Sequence, residues 1–309
     1  MKIKNWTAIL WDCLEEMKKI PDGSIDCIIT DPPYGNMNWA QLDGWENNKT
    51  HWDNAINPKD IFENAERVLR MNGCLILFSQ EPYTAQLITQ AHGNLPFSYR
   101  MIWLKDHFAN ALIAKKAPVS YYEDILVFFK TYDTTNKHPL RQYVIDIIKH
   151  IWKTKKQIFE EMGHQWICHF WRYDSTQFDL CTEKTYNQLI EMYWINKIEW
   201  FKKYSELSEI NRQFNRQFNL WDWKRYKSNI LQYKKDYEWL HPTQKPLKLI
   251  EDLIQTYSQE WQTILDFTAW SFTTAVACEN TNRKWICIEK DENYFKIGTQ
   301  RVLSNKENA

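Results

Sequence analysis

The chain has 309 residues, 44% of them hydrophobic, with 39 basic and 39 acidic side chains in balance. That length suffices for one large domain or two ordinary ones around a packed core. No run of about 18 apolar residues occurs, which excludes a membrane-spanning helix, and "MKIKNWTAIL" lacks the apolar stretch and cleavage site of a signal peptide, so a cytoplasmic location is expected.

Taken in order, the first 130 residues alternate short apolar runs with helix-period segments. "IDCIITD" (25–31), "GCLILFS" (73–79), "YRMIWL" (99–104) and "DILVFF" (124–129) read as buried strands, and 58–71 and 82–92 as helices. Such alternation predicts an α/β fold, a parallel or mostly parallel sheet with helices on its faces. From 131 to 236 the pattern changes to polar and aromatic helical segments with no convincing strand. Within it "KTKKQIFEEMGHQWICHFWR" (153–172) fits either a helix-turn-helix or a plain helical hairpin turning at Gly163. From Lys130 to Lys235 there are 19 Lys or Arg against 12 Asp or Glu, which marks this stretch as the candidate polyanion-binding surface. After "HPTQKP" (241–246) the alternation resumes: helix 247–258, strand 263–268, helix 273–281, strand 285–291, helix 293–303.

Seven cysteines (Cys13, Cys27, Cys74, Cys168, Cys181, Cys278, Cys287) stand singly, without the paired spacing of a zinc site or disulfide framework. They read as reduced, largely buried residues, and no metal is expected.

Strand "IDCIIT" ends in Asp31-Pro32-Pro33-Tyr34-Gly35. Two prolines stop the ladder and fix φ, holding the flanking side chains and proline carbonyls at the carboxyl edge of the sheet, where open α/β sheets bind ligands. The plain alternative is a structural Pro-Pro turn. An Asp and a proline carbonyl facing one spot supply two acceptors for an exocyclic amino group, and Tyr34 can stack on the attached ring. Such a site suits adenine or cytosine swung out of a duplex. Accepting both N–H bonds frees the nitrogen lone pair for an electrophilic methyl.

These residues, with "WDCLEEMKKIPDGSIDCIITDPPYG" (11–35), "WLKDHFANALIAKKAPVSYYEDILVF" (103–128), "HPTQKP" and "ILDFTAWSFTTAVACENTNRKWICIEKDENYF" (264–295), resemble the S-adenosylmethionine-dependent DNA amino-methyltransferases, in the permuted class whose Asp-Pro-Pro-Tyr precedes the cofactor motif. The resemblance implies a three-layer Rossmann-like sheet: a catalytic domain from 1–130 and 237–309, and a helical DNA target-recognition insert at 131–236. It implies catalytic roles for Asp31, Pro32, Pro33 and Tyr34. Asp12, beside Cys13, matches the acidic residue that meets the cofactor's adenine. Asp266 and its turn, with Thr268, Trp270 and Ser271, match the methionine-binding loop, and Thr273 opens the next helix, whose N-terminus favours a carboxylate. Glu289 is placed for the ribose hydroxyls, while Thr243 and Lys245 match the loop closing over the methionine end. Plainer readings stand beside these: Asp12 as a helix N-cap, Glu289 as a solvated strand end, Lys245 as a surface lysine.

Asp at the head of the catalytic motif goes mostly with adenine N6 in this family, Ser or Thr with cytosine N4. Double-stranded DNA is the implied partner. The resemblance leaves open a homodimer, a cognate restriction endonuclease, cytosine-N4 specificity, and a decayed non-catalytic DNA-binding homologue.

One feature conflicts with the family pattern. Its cofactor loop needs glycine so that backbone can approach the methionine, yet Trp270 and Phe272 occupy the two glycine positions. Trp11, Trp152, Trp194 and Trp239 also stand at glycine-like places. The chain holds 17 Trp and only 7 Gly, where average usage gives about 20 Gly. Codons GGA and UGA differ by one base, so the pattern predicts that UGA means glycine in the source. The rival expectation is genuine tryptophans in a copy that has lost its cofactor.

Overall fold

The computed structural model describes the chain except residues 1, 4–5, 36–52, 110–113, 132–137, 164–166, 176–177, 221–224, 237–243 and 308–309. Thr243 and Trp239 lie outside the described residues. In chain order the elements are β1 (Lys2–Ile3), β2 (Trp6–Leu10), α1 (Cys13–Met17), β3 (Ile25–Thr30), α2 (Pro58–Val68), β4 (Leu69–Ser79), α3 (Tyr83–Thr89), β5 (Phe97–Ala109), β6 (Ser120–Phe129), α4 (Leu140–Ile151), α5 (Lys155–Met162), α6 (Glu183–Tyr193), α7 (Tyr204–Phe214), β7 (Ile230–Gln232), α8 (Leu247–Tyr257), β8 (Thr263–Asp266), α9 (Thr273–Asn280), β9 (Lys284–Glu289) and α10 (Glu292–Glu307). No helix among the described residues is long and apolar enough to cross a membrane.

β3 and β8 are apolar on both faces because helices cover both. Ile28, Leu75 and Leu265 face the layer of Ile61, Phe62 and Ala65 from α2, while Cys27, Ile76 and Ile264 face Ile250, Leu253 and Ile254 from α8. α2 starts where it does because Asn57 Oδ1 accepts from the Lys59 N–H at 3.0 Å and Pro58 presets the first helical φ.

The strands form one nine-stranded sheet in the order β1-β2-β9-β8-β3-β4-β6-β5-β7. From β2 to β4 neighbours run parallel; β6 is antiparallel to β4 and β5. The chain leaves β3 through α2 toward β4 on one side, and leaves β8 through α9 toward β9 on the other. β3 and β8 therefore flank the switch point where ligands of open α/β sheets sit. Register aligns the strand ends there: Leu10 opposite Glu289, Asp266 opposite Cys287, Ile28 opposite Leu265.

The chain divides into two compact units, 1–131 with 216–309, and 132–215. The boundary expected at 236 thus moves back to 215, because the following stretch is bonded into the sheet unit. β7 pairs with β5, the Trp103 indole N–H donates to the Tyr233 carbonyl at 2.8 Å, and Lys227 pairs with Asp252 at 2.5 Å. This correction also moves the charge. Residues 132–215 carry 12 basic against 11 acidic side chains, whereas 216–235 carry six against one. The excess belongs to the α/β unit, with Arg225, Tyr226 and Lys234 exposed.

The second unit packs its own core from Tyr143, Val144, Ile158, Phe170, Trp171 and Tyr186. Neither the helix-turn-helix nor the plain helical hairpin read at 153–172 is formed among the described residues. α5 ends at Gly163 in the left-handed region, and 167–171 make hydrogen-bonded turns rather than a helix. Ile167, Phe170 and Trp171 are buried there, so the aromatic residues serve the core instead of a recognition face.

Candidate active site

β3 delivers Thr30 and Asp31 to the rim, and Pro32 and Pro33 follow, both buried. Tyr34 folds back so that its hydroxyl donates to Asp31 Oδ1 at 2.5 Å. The other carboxylate oxygen of Asp31 takes the Lys245 ammonium, which also pairs with Glu123 Oε2 at 3.2 Å. Glu123, on β6, holds Lys105 of β5 at 2.5 Å. Two lysines and two carboxylates thus form a buried chain behind the Asp-Pro-Pro-Tyr motif. Burial pushes the Asp31 carboxyl above its ordinary value, against the pull of Lys245 and the Tyr34 hydroxyl. Burial works against Glu123 as well, but Lys245 and Lys105 outweigh it and hold that carboxyl low. The Tyr34 phenol is driven well up by burial and then by the charges on Asp31 and Glu123, so it stays a donor.

β8 ends in Asp266, whose carboxylate accepts from Thr30 Oγ1 at 2.9 Å, Thr274 Oγ1 at 2.6 Å and the Thr268 N–H at 3.2 Å. Thr268 and Thr30 hydroxyls lie 2.6 Å apart. These bonds tie the turn after β8 to the end of β3. Burial pushes Asp266 up to about 6. Ser271 donates to Gln244 Oε1 at 3.4 Å, and Thr273, opening α9, accepts from Arg301 at 2.9 Å.

Glu289 ends β9, buried rather than solvated, and burial pushes its carboxyl up to about 7. Its two oxygens accept from the N–H groups of Asp291 and Trp270, each at 2.8 Å. Asp12 lies two residues beyond the neighbouring strand β2 and caps α1, accepting from the Leu14 N–H at 3.0 Å and the Glu15 N–H at 3.3 Å. The N-cap reading of Asp12 therefore holds, one strand over from Glu289. Cys13 starts α1, half-buried, and burial lifts its thiol to about 12. Lys245 is no surface lysine. It is buried against Asp31 and Glu123, on the side of the Asp-Pro-Pro-Tyr motif.

Trp270 joins the two halves of the site. Its indole N–H donates to the Asp31 carbonyl at 2.8 Å while its backbone N–H donates to Glu289, and its ring meets Tyr294 edge-on at 6.0 Å. One residue thus spans from the Asp-Pro-Pro-Tyr motif to the acid at the end of β9. The cavity left between Thr30, Asp31, Asp266, Ser271, Thr273 and the indole is about 30 Å³, room for about two waters.

Sequence reasoning named neither Glu123 nor Lys105, Thr30, Thr274 or Gln244. Glu123 carried a signal all the same: with Asp124 it leads directly into the apolar run "ILVFF" (125–129), and a buried strand tolerates such a carboxylate only with a partner.

A sequence profile of DNA methylases, the N6/N4 methyltransferase family, matches residues 25–300. The chain belongs to the N6/N4 DNA methylase family. The DNA adenine methyltransferase YhdJ of Escherichia coli (strain K12) is 26% identical over 299 residues, spanning 96% of this chain and 82% of the relative. The type II methyltransferase M.HindIII of Haemophilus influenzae is 23% identical, over 96% of this chain and 95% of that one. Among solved structures, M1.HpyAVI in complex with SAM superposes with a TM-score of 0.53 at 18% identity, covering 96% of this chain and 99% of that chain. The cytosine-N4-specific PvuII DNA methyltransferase gives 0.50 at 14% identity, over 98% and 94%. At these identities the superpositions establish the Rossmann-like fold.

The family implies S-adenosylmethionine, and three features here fit it: the acid at the end of β9, the acid two residues beyond β2, and the N-terminus of α9. Trp270 does not fit. Its indole lies between Asp31 and Glu289, and what remains is too small for a nucleoside cofactor.

Proposed function

We infer that this protein methylates the N6 amino group of adenine in duplex DNA with S-adenosylmethionine as donor, acting on a base swung out of the helix. One observation carries the reading: at the switch point, Asp31 and Pro32 stand one side chain away from the rim formed by Asp266 and Glu289.

An exocyclic amino group offers two N–H donors, and the Asp31 carboxylate with the Pro32 carbonyl offers two acceptors. A carboxylate has about four lone-pair directions; Tyr34 and Lys245 occupy two of them, which leaves Asp31 able to accept from a base. Lys245 supports the ionised form against burial. A protonated Asp31 would present an O–H and lose an acceptor. Tyr34 stands beside Tyr83, ring centres 6.2 Å apart, and its ring is the group proposed to stack on the base.

Asp31 at the head of the motif favours adenine, as does the named activity of the Escherichia coli relative. Cytosine N4 is the second reading, supported by the fold shared with the PvuII enzyme. Target selection is assigned to 132–215 and phosphate binding to 216–235. Action on chromosomal DNA goes with a cytoplasmic location.

The test is to incubate the chain carrying Trp270→Gly with methyl-labelled S-adenosylmethionine and unmethylated duplex DNA, then digest to nucleosides. Label in N6-methyldeoxyadenosine supports the reading. Label in N4-methyldeoxycytidine transfers it to cytosine, and label in neither sinks both.

A further inference from the structure

Seven described residues other than glycine have positive φ: Asn72, Asn282, Phe272, Trp152, Trp194, Trp261 and Trp270. Asparagine visits this region routinely, but a bulky side chain there is an outlier, costed against contact of its Cβ with the following carbonyl. Ten tryptophans have a described backbone, and four of them are in this conformation. At the usual rate of a few per cent, fewer than about one is expected.

The helix ends of the second unit show what these positions want. α4, α5 and α6 all finish on a left-handed residue whose N–H returns to the carbonyl four residues back: Trp152 to Ile148 at 3.2 Å, Gly163 to Phe159 at 3.1 Å, Trp194 to Ile190 at 2.8 Å. This is the left-handed helix cap that glycine normally fills. Gly163 fills it in one helix, and tryptophan stands in the same geometry in the other two. No burial compensates: Trp152 is 92% exposed, Trp194 64% and Trp261 63%.

Phe272 shows what a genuine aromatic at such a position looks like. It is fully buried, packs edge-on against Trp285 and Phe295, and sits where a Cβ on Gly298 would lie 2.1 Å from its ring. The neighbouring helix has made room for it. Trp103 and Trp285 are likewise buried in ordinary backbone, with indole N–H groups donating at 2.8 and 2.9 Å. Trp11 is exposed in ordinary backbone, so the conformation does not discriminate there.

We propose that positions 152, 194, 261 and 270 are glycine in the functional protein, encoded by UGA read as glycine, and that glycine at 270 opens the cofactor site between Asp31 and Glu289. One change accounts for the excess of tryptophan, the lack of glycine, the four left-handed tryptophans and the filled cavity together. The claim for position 270 rests on the proposed function; the claims for the other three do not.

The experiment compares the chain as written with a triple variant, Trp152→Gly, Trp194→Gly and Trp261→Gly, and with the same three positions changed to Ala. Alanine removes the exposed indoles but keeps a Cβ. The glycine triple is expected to raise the thermal midpoint by roughly 5 °C or more, and the alanine triple by clearly less. An alanine triple equal to the glycine triple, a glycine triple that fails to fold, or UGG codons at these positions overturns the proposal. Trp270→Gly is then titrated calorimetrically with S-adenosylmethionine, against no heat for the chain as written. If the glycine triple gains stability and Trp270→Gly binds nothing, the cofactor reading of the site fails while glycine at 152, 194 and 261 stands.

Discussion

Lys245 pairs with Asp31 across 214 residues of sequence, inside the protein, and its second partner is Glu123. The carboxylate proposed to receive the base is therefore held by a cation from the segment before α8, not by its own motif alone.

Lys245→Met leaves two buried carboxylates without their shared cation and is expected to destabilise by about 3–5 kcal/mol, against much less for Lys245→Arg. The folded pKa of Asp31 is already raised, and losing Lys245 raises it further. A raised carboxyl contributes stability below its unfolded value and loses it as pH rises through the folded one. Urea denaturation should accordingly show a larger deficit for Lys245→Met at pH 8 than at pH 5. A deficit independent of pH would contradict this coupling.

Glu289 rises from 4.5 to about 7 and Asp266 from 3.8 to about 6 by burial. Their protonated forms favour folding below about pH 4, and that contribution disappears as pH climbs through 6 to 7, up to about 3 kcal/mol for Glu289. Glu289→Gln should flatten the fall in stability between pH 5 and 7.5, measured by denaturation at several pH values. A wild-type slope in this variant would remove Glu289 as its source.

Phe272 and Gly298 form a size pair. Gly298→Ala within a helix ordinarily gains about 1 kcal/mol, but overpacking against the ring costs about 1–3 kcal/mol, so net destabilisation is expected. In a Phe272→Ala background the sign should reverse, and a double-mutant cycle measures the coupling. Phe272→Gly should destabilise, since losing a buried ring costs about 3–5 kcal/mol while the backbone relief is about 1–2 kcal/mol. The exposed left-handed tryptophans are expected to show the opposite sign.

Arg225 and Lys234 are exposed in the basic stretch of the α/β unit. Changing both to Gln should lower the slope of log affinity against log salt for DNA by about two and weaken all sequences alike. Changing Lys156 and Lys184 in the nearly neutral second unit should leave the slope almost unchanged. Filter-binding titrations over a salt series compare the two, and equal slopes would return the phosphate contacts to the helical unit.

Much of the fold was legible because its signals are local. Strand ends at Asp31, Asp266 and Glu289 follow apolar runs and are punctuated by Pro or a turn, and in a parallel sheet such ends gather on one edge. The stretch 216–235 was not legible in the same way. Its only strand among the described residues is three residues long, too short to leave a periodic trace, and the pairing with β5 is what draws it into the sheet. The segment 167–171 misled because aromatic and apolar residues at helical spacing look alike on a recognition helix and in a packed turn.

By itself the sequence determined the family, the Asp-Pro-Pro-Tyr motif at the end of a strand and an imbalance of tryptophan over glycine, since each is written in composition and in residues adjacent along the chain. Only the tertiary structure decided that Lys245 and Glu123 stand behind Asp31, and that four tryptophans occupy left-handed backbone, one of them in the space between Asp31 and Glu289. Contacts between distant segments and the sign of φ depend on how the chain closes on itself, and neither leaves a periodicity in the string of residues.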